Sequence, residues 1–262
     1  MKKIYKGILF LFLLSTQVTL FAMPSMLNYV PNCDTVPNKN LQVTFANYMY
    51  DFKGPFQNAG VTTNNSFWYG LEVGLKKAEL GIDYLSNAAF VDQRSALYAG
   101  PVCYNFKYRL LTEGKDSFSL AIGAYNLGAT KYNGLPFEFY YPSPYIIGTK
   151  TVRNMRFHLG YQIAILGYKN LDYDKKKNDG AMAGFDTVII KSKNHPLTLM
   201  VDYFSGPMSC VNVGLLQPIN SRLSWNLCSF HPLKQHLEPV QSSSVEFPIQ
   251  YFLGLNYLIP FK

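Results

Sequence analysis

The side chains best placed for chemistry are ten charged or titratable residues on the polar positions of alternating stretches. Glu72, Glu79 and Asp83 are acidic, and Lys107, Arg109, Arg156 and Arg222 are basic. Asp186 and Asp202 lie between Arg156 and Arg222, and His158 is the one histidine placed inside such a stretch. Carboxylates facing cations across a water-filled lumen would set a transverse field and orient a dipolar solute. The same groups could instead neutralise one another and fill an interior. Both readings require all ten side chains to project into one enclosed space.

Covalent and metal chemistry find less support. His195, His231 and His236 fall in connections, and His231 and His236, although near Cys228, do not show ligand spacing. The chain contains no glycine-rich phosphate loop, HExxH or GxSxG. A phospholipase-like site on a lipid-facing wall would need Ser, His and an Asn or acid there, whereas His158 falls on the polar face. An omptin-type protease needs paired acids and a His at an outer rim, and no such group is readable. We therefore expect no enzyme, no catalytic residue, no metal and no cofactor.

Four cysteines suit an oxidising compartment. If a hairpin turns at residues 218–220, residues pair when their numbers sum to 438, which sets Cys210 opposite Cys228 on the polar face. Opposed residues bring Cβ atoms to about 4.5–5.5 Å, near disulfide reach. Two free thiols tucked inside is the alternative. Cys33 and Cys103 are then a candidate second pair, and the sequence leaves open whether they are bonded.

The elements that must position these residues are strands. Phe67, Tyr69, Leu71, Val73 and Leu75 alternate with Trp68, Gly70, Glu72, Gly74 and Lys76, and Ala78, Leu80, Ile82 and Tyr84 continue the rhythm. Successive strand side chains point to opposite faces, so one face is oily and the other polar. A two-residue turn at Lys76-Lys77 pairs Leu75 with Ala78 and Tyr69 with Tyr84, which puts both oily sets on one side. The rhythm recurs over residues 41–50, 66–75, 77–85, 96–109, 117–127, 143–151, 154–163, 181–190, 196–204, 209–216, 221–229 and 249–261. No 3.6-residue apolar period persists beyond the first residues.

That makes an even twelve, each near the roughly 9–11 residues that cross a tilted bilayer path. Their connections alternate long and short, with 205–208 the exception. Outer-membrane barrels show this asymmetry, with short periplasmic turns and both termini on that side. A lipocalin-like soluble barrel would turn its oily face inward. Strand number, loop asymmetry and 16% aromatic against 15% charged residues favour the inverted arrangement.

Lys2, Lys3 and Lys6 followed by an apolar run over 8–14 and a small residue at Ala22 match a cleaved secretory signal, residues 1–22. Residues 23–40 are read as a periplasmic N-terminal segment and 41–262 as the barrel. Without the signal lysines the formal charge falls from +8 to +5. The run 175–177 reads as a solvated loop tip, so nucleic acid is not an expected partner.

Leu253, Leu255, Tyr257, Ile259 and Phe261 occupy alternate positions before Lys262. This resembles the C-terminal signature of bacterial outer-membrane proteins, except for the lysine after the aromatic. Tyr125-Asn126-Leu127-Gly128 and Val201-Asp202-Tyr203-Phe204-Ser205-Gly206 add to a layout similar to small outer-membrane β-barrels of bacteria. The resemblance implies outer-membrane lipid and the barrel assembly machinery as partners, and location rather than an activity. The expectation is an all-β, closed, antiparallel up-and-down transmembrane barrel of about twelve strands, monomeric, passing small solutes passively. Its rivals are a non-conducting barrel whose long outer loops engage a partner or polysaccharide, and a soluble barrel holding an apolar ligand.

Overall fold

An alternating strand must hide one of its two faces, and closing the sheet forces the same choice on every strand. The computed structural model describes Leu27 and residues 30–50, 64–91, 94–127, 142–163, 179–205, 209–233, 236–237, 245–246 and 250–262. In chain order the strands are β1 (Asn40–Tyr50), β2 (Asn64–Leu75), β3 (Ala78–Val91), β4 (Arg94–Leu111), β5 (Ser119–Leu127), β6 (Ser143–Val152) and β7 (Met155–Gln162). There follow β8 (Gly180–Ile190), β9 (Leu197–Phe204), β10 (Cys210–Pro218), β11 (Leu223–Pro232), β12 (His236–Leu237), β13 (Val245–Glu246) and β14 (Gln250–Pro260). β12 and β13 form a separate two-stranded ribbon. The other twelve close into one antiparallel barrel in chain order, with β14 sealing it between β1 and β11. The expected signal segment and the 175–177 run lie outside the described residues.

Tight turns set the register at one end. Leu75 pairs with Ala78, Val73 with Leu80, Leu71 with Ile82 and Tyr69 with Tyr84, with the two tyrosine rings 6.2 Å apart. Lys76 takes φ 52° and Arg153, in the equivalent turn after β6, takes φ 58°. Positive φ at the first central residue matches the twist of paired strands. One connection departs from expectation. Residues 86–95 read as a loop, yet β3 and β4 stay paired out to Val91 and Arg94, across a one-residue shift between Tyr84 and Ser86. A ladder already in register extends through weak strand formers because each added pair closes no new loop.

The oily face points outward. Leu159 is 71% exposed, Phe157 and Ile146 stand open beside it, and Leu253 and Leu255 are exposed elsewhere in the wall, while Glu72 and Lys107 inside are 0% exposed. This inverts a water-soluble barrel and matches one immersed in lipid. Leu159 is the fifth of eight residues in β7. Leu159→Arg is expected to cost about 2–4 kcal/mol near a bilayer midplane, read from urea unfolding in vesicles. A cost near zero would put that position in water. Among the described residues no helix is long and apolar enough to cross a membrane, which says nothing of strands.

Candidate functional site

The space the wall encloses is occupied by the chain's own N-terminal segment. At residues 37–40 the chain makes a turn, with the Asn40 N–H donating to the Pro37 carbonyl at 3.1 Å and Lys39 at φ 60°. The Lys39 N–H donates to the Gly74 carbonyl (2.9 Å), and the Phe261 N–H donates to the Lys39 carbonyl (3.0 Å). The Lys76 N–H donates to Asn38 Oδ1 at 2.8 Å. Pinned to β2 and to the end of β14, the turn folds the preceding residues back into the barrel. Leu27, Val30, Cys33 and Val36 are each no more than 3% exposed. The sequence reading makes 23–40 a periplasmic N-terminal segment; among its described residues, Leu27 and residues 30–36 pack inside the barrel. Their sequence has neither strand alternation nor a helical period, so nothing local marks this destination.

The segment crosses from one wall to the opposite one. The Val36 N–H donates to Glu79 Oε2 on β3 at 2.8 Å. The Cys33 N–H donates to Thr149 Oγ1 on β6 at 3.3 Å, and its thiol reaches the Ile147 carbonyl at 3.1 Å. The Val30 N–H donates to Asp202 Oδ2 on β9 at 3.3 Å. β3 and β9 stand six strands apart in a ring of twelve, so they face each other. Val30 and Cys33 pack with Ala121, Ile147, Met182 and Phe204 on an apolar part of the inner surface. On the other side Gly74 lets the backbone approach, since a Cβ there would run into the carbonyl oxygens of Val36 and Pro37.

The charged residues divide into two networks joined by Asp34. In the first, Lys107 Nζ lies 3.6 Å from Glu79 Oε1 and donates to the Asp34 carbonyl at 2.8 Å. Asp83 accepts from Trp68 Nε1 (3.1 Å) and from the Asn105 amide. Glu72 Oε2 accepts from Gln42 at 3.0 Å, and its Oε1 is buried without a partner. In the second network Arg156 lies 2.8 Å from Asp186 and 2.6 Å from the Asp34 carboxylate. His158 bridges Asp186 (3.0 Å) and the Thr149 hydroxyl (2.9 Å). Asp202 accepts from Asn212 at 2.5 Å as well as from the Val30 N–H. Arg109 is half-buried with its Nε unpartnered.

Arg222 is a correction. β11 begins at Leu223, so Arg222 belongs to the exposed turn at the rim and not to the inner wall. The sequence reading does not single out Asp34, Thr149 or Asn212, and it places Asn105 on the polar face without giving it a role. Thr149, Asn105 and Asn212 share the inward phase of their strands, a signal the alternation carries; the position of Asp34 depends on where the segment goes. The hydroxyl–imidazole–carboxylate order of Thr149, His158 and Asp186 has the connectivity of a catalytic relay. Here Asp186 also binds Arg156 through both oxygens, and the Thr149 oxygen accepts from the segment's backbone.

The disulfide expectation is overturned. β10 and β11 pair Cys210 with Pro232 and Cys228 with Gly214, four residues off direct opposition. The cause is the turn, which closes from Pro218 to Ser224 with the Ile219 N–H donating to the Leu223 carbonyl at 2.7 Å. All four cysteines are free and buried. Burial pushes the Cys33 thiol above its ordinary range, opposed mainly by its hydrogen bond with Thr149. Because the thiolate is the reactive form, the folded protein is expected to resist thiol reagents, and to release four titratable thiols on unfolding without reductant. A smaller number would restore a disulfide.

Together these features define a closed twelve-stranded barrel with an apolar outside and a polar, internally crossed lumen. In comparisons with solved structures it is similar to an outer-membrane channel from Pseudomonas putida F1, at 10% identity and TM-score 0.54 over 91% of this chain and 100% of that one. It is also similar to a KdgM porin, at 12% identity and TM-score 0.47 over 82% and 98%, and to the P. putida toluene transporter TodX, at 10% and 0.42 over 86% and 91%. At such identities the likeness is one of fold. No family model and no curated protein matches the chain.

Proposed function

We propose that the protein is a bacterial outer-membrane channel for small solutes, shut by its own N-terminal segment. The observation that carries this reading is that a polar lumen is crossed, from β3 to β9, by a segment held there without a covalent bond. The insert hangs from one rim turn and is held across the lumen by hydrogen bonds, one ion pair and a small apolar patch. The outward apolar surface and the alternation of long and short connections support an outer-membrane location. A cleaved signal at 1–22, a monomeric state and delivery by the barrel assembly machinery complete the proposal. So does membership of the small bacterial outer-membrane barrels that the C-terminal strand resembles.

A second reading is favoured by the complete burial of Glu72, Glu79, Lys107 and Asn212, each at most 1% exposed. It makes the chain a permanently filled barrel that presents its long loops. Single-channel recording in a planar bilayer separates the two. The first expects resolved steps once the segment is displaced, and a flat baseline in every variant would favour the second.

A further inference from the structure

The short-turn end of the barrel carries a charge the function above does not use. Residues 37–39, 76–77, 112–118, 150–154, 191–196, 219–222 and 261–262 all meet at this rim, because the antiparallel order brings every tight turn and both ends of the wall to one side. They contain ten Lys or Arg against Glu113 and Asp116, a net +8, and all ten are exposed. The interior has the opposite sign, with Asp34, Glu72, Glu79, Asp83, Asp186 and Asp202 against Lys107, Arg109 and Arg156. The two rim acids are engaged locally. Glu113 accepts from Thr151 at 2.7 Å and lies 2.9 Å from Lys150, contacts that hold its carboxyl down to about 2, the Thr151 hydrogen bond contributing most. Asp116 accepts the Thr112 N–H at 2.9 Å.

The rim cations also stand at a defined height. Lys76 follows exposed Leu75, Arg153 follows Val152, Lys191 follows Ile190 and Lys262 follows Phe261, so charge begins where the outward apolar surface stops. That is the depth of lipid phosphates rather than of a pore mouth. Resting on the membrane reading above, we infer that this rim is a binding surface for anionic phospholipid headgroups in the leaflet at the short-turn side. Lysine and arginine donate to phosphate oxygens while the neighbouring Leu, Val, Ile and Phe side chains meet the upper acyl chains.

Trp225 makes the inference testable. It stands on the outer face of β11 opposite Leu255, three residues along the chain from Arg222, whereas the other tryptophan, Trp68, faces inward onto Asp83. The protein is inserted into equimolar phosphatidylcholine–phosphatidylglycerol vesicles with bromine on one lipid or the other, and into fully brominated phosphatidylcholine. Trp225→Phe supplies the Trp68 background. We expect brominated phosphatidylglycerol to quench Trp225 with about fivefold preference, the ratio corresponding to about 1 kcal/mol for a basic residue at an anionic surface. The preference should collapse in high salt and in Lys191→Gln/Lys193→Gln/Arg222→Gln. Equal quenching by the two lipids in the unmodified protein, with brominated phosphatidylcholine still effective, overturns the lipid site and leaves the membrane reading standing. Failure of brominated phosphatidylcholine to quench Trp225 at all overturns the membrane reading itself.

Discussion

A chain lacking residues 27–36 is expected to conduct where the full-length chain holds a closed baseline. The segment's hold consists of burying Leu27, Val30, Cys33 and Val36, together with its bonds to Glu79, Thr149, Asp202 and Arg156. Burial of an aliphatic side chain contributes about 1.5–3 kcal/mol, so the seat is worth several kcal/mol and the closed form dominates. The polar groups left behind lose little, since water entering the emptied lumen takes over their hydrogen bonds. Gly74→Ala tests the same point without shortening the chain. Its Cβ would meet the Val36 and Pro37 carbonyl oxygens, which belong to the backbone and cannot swing aside. This variant should open intermittently, and its Cys33 should react with a thiol reagent faster than in the unmodified protein. If both variants stay closed and Cys33 stays unreactive, the interior is filled for reasons other than the segment, and the channel reading fails.

Lys107→Met is expected to be the most destabilising single substitution, at about 3–5 kcal/mol, the usual cost of orphaning a buried charge. Lys107 is 0% exposed and lies 3.6 Å from Glu79, with Asp83 on the same strand as Glu79 and Glu72 on β2 next to it. Removing it leaves clustered carboxylates in a space of low polarity, where like charges repel strongly. Pairing the change with Glu79→Gln should recover much of the loss, and the coupling in a double-mutant cycle isolates the pair from the background. Urea unfolding in vesicles provides the measurement. A loss below about 1 kcal/mol, the level of a solvent-screened pair, would mean that water already reaches this part of the lumen in the full-length chain.

The differences between sequence and structure follow one pattern. Strand number, order and the Tyr69–Tyr84 register were legible because period-two alternation and a two-residue turn are local signals with few alternatives. The β10–β11 register was not, since Pro218, Ile219 and Asn220 permit more than one turn length. Moving the closure to Ser224 carries Cys228 away from Cys210. The 86–95 stretch went wrong for a related reason: its weak strand formers are held by partners across the hairpin rather than by their own propensity. Arg222 shows the limit of counting along a strand, because its place depends on the residue at which pairing begins.

What the sequence by itself determined is the wall: twelve amphipathic strands, their up-and-down order, and which residues share a face. Alternation is written into each strand independently of every other. What only the tertiary structure decided is what the wall surrounds. Whether Glu79, Lys107, Arg156 and Asp202 line open water or grip a strap of chain depends on contacts between residues 30–36 and strands up to 172 positions away. Such contacts leave no period in the sequence, because the segment follows the shape of a cavity that exists only once the barrel has closed.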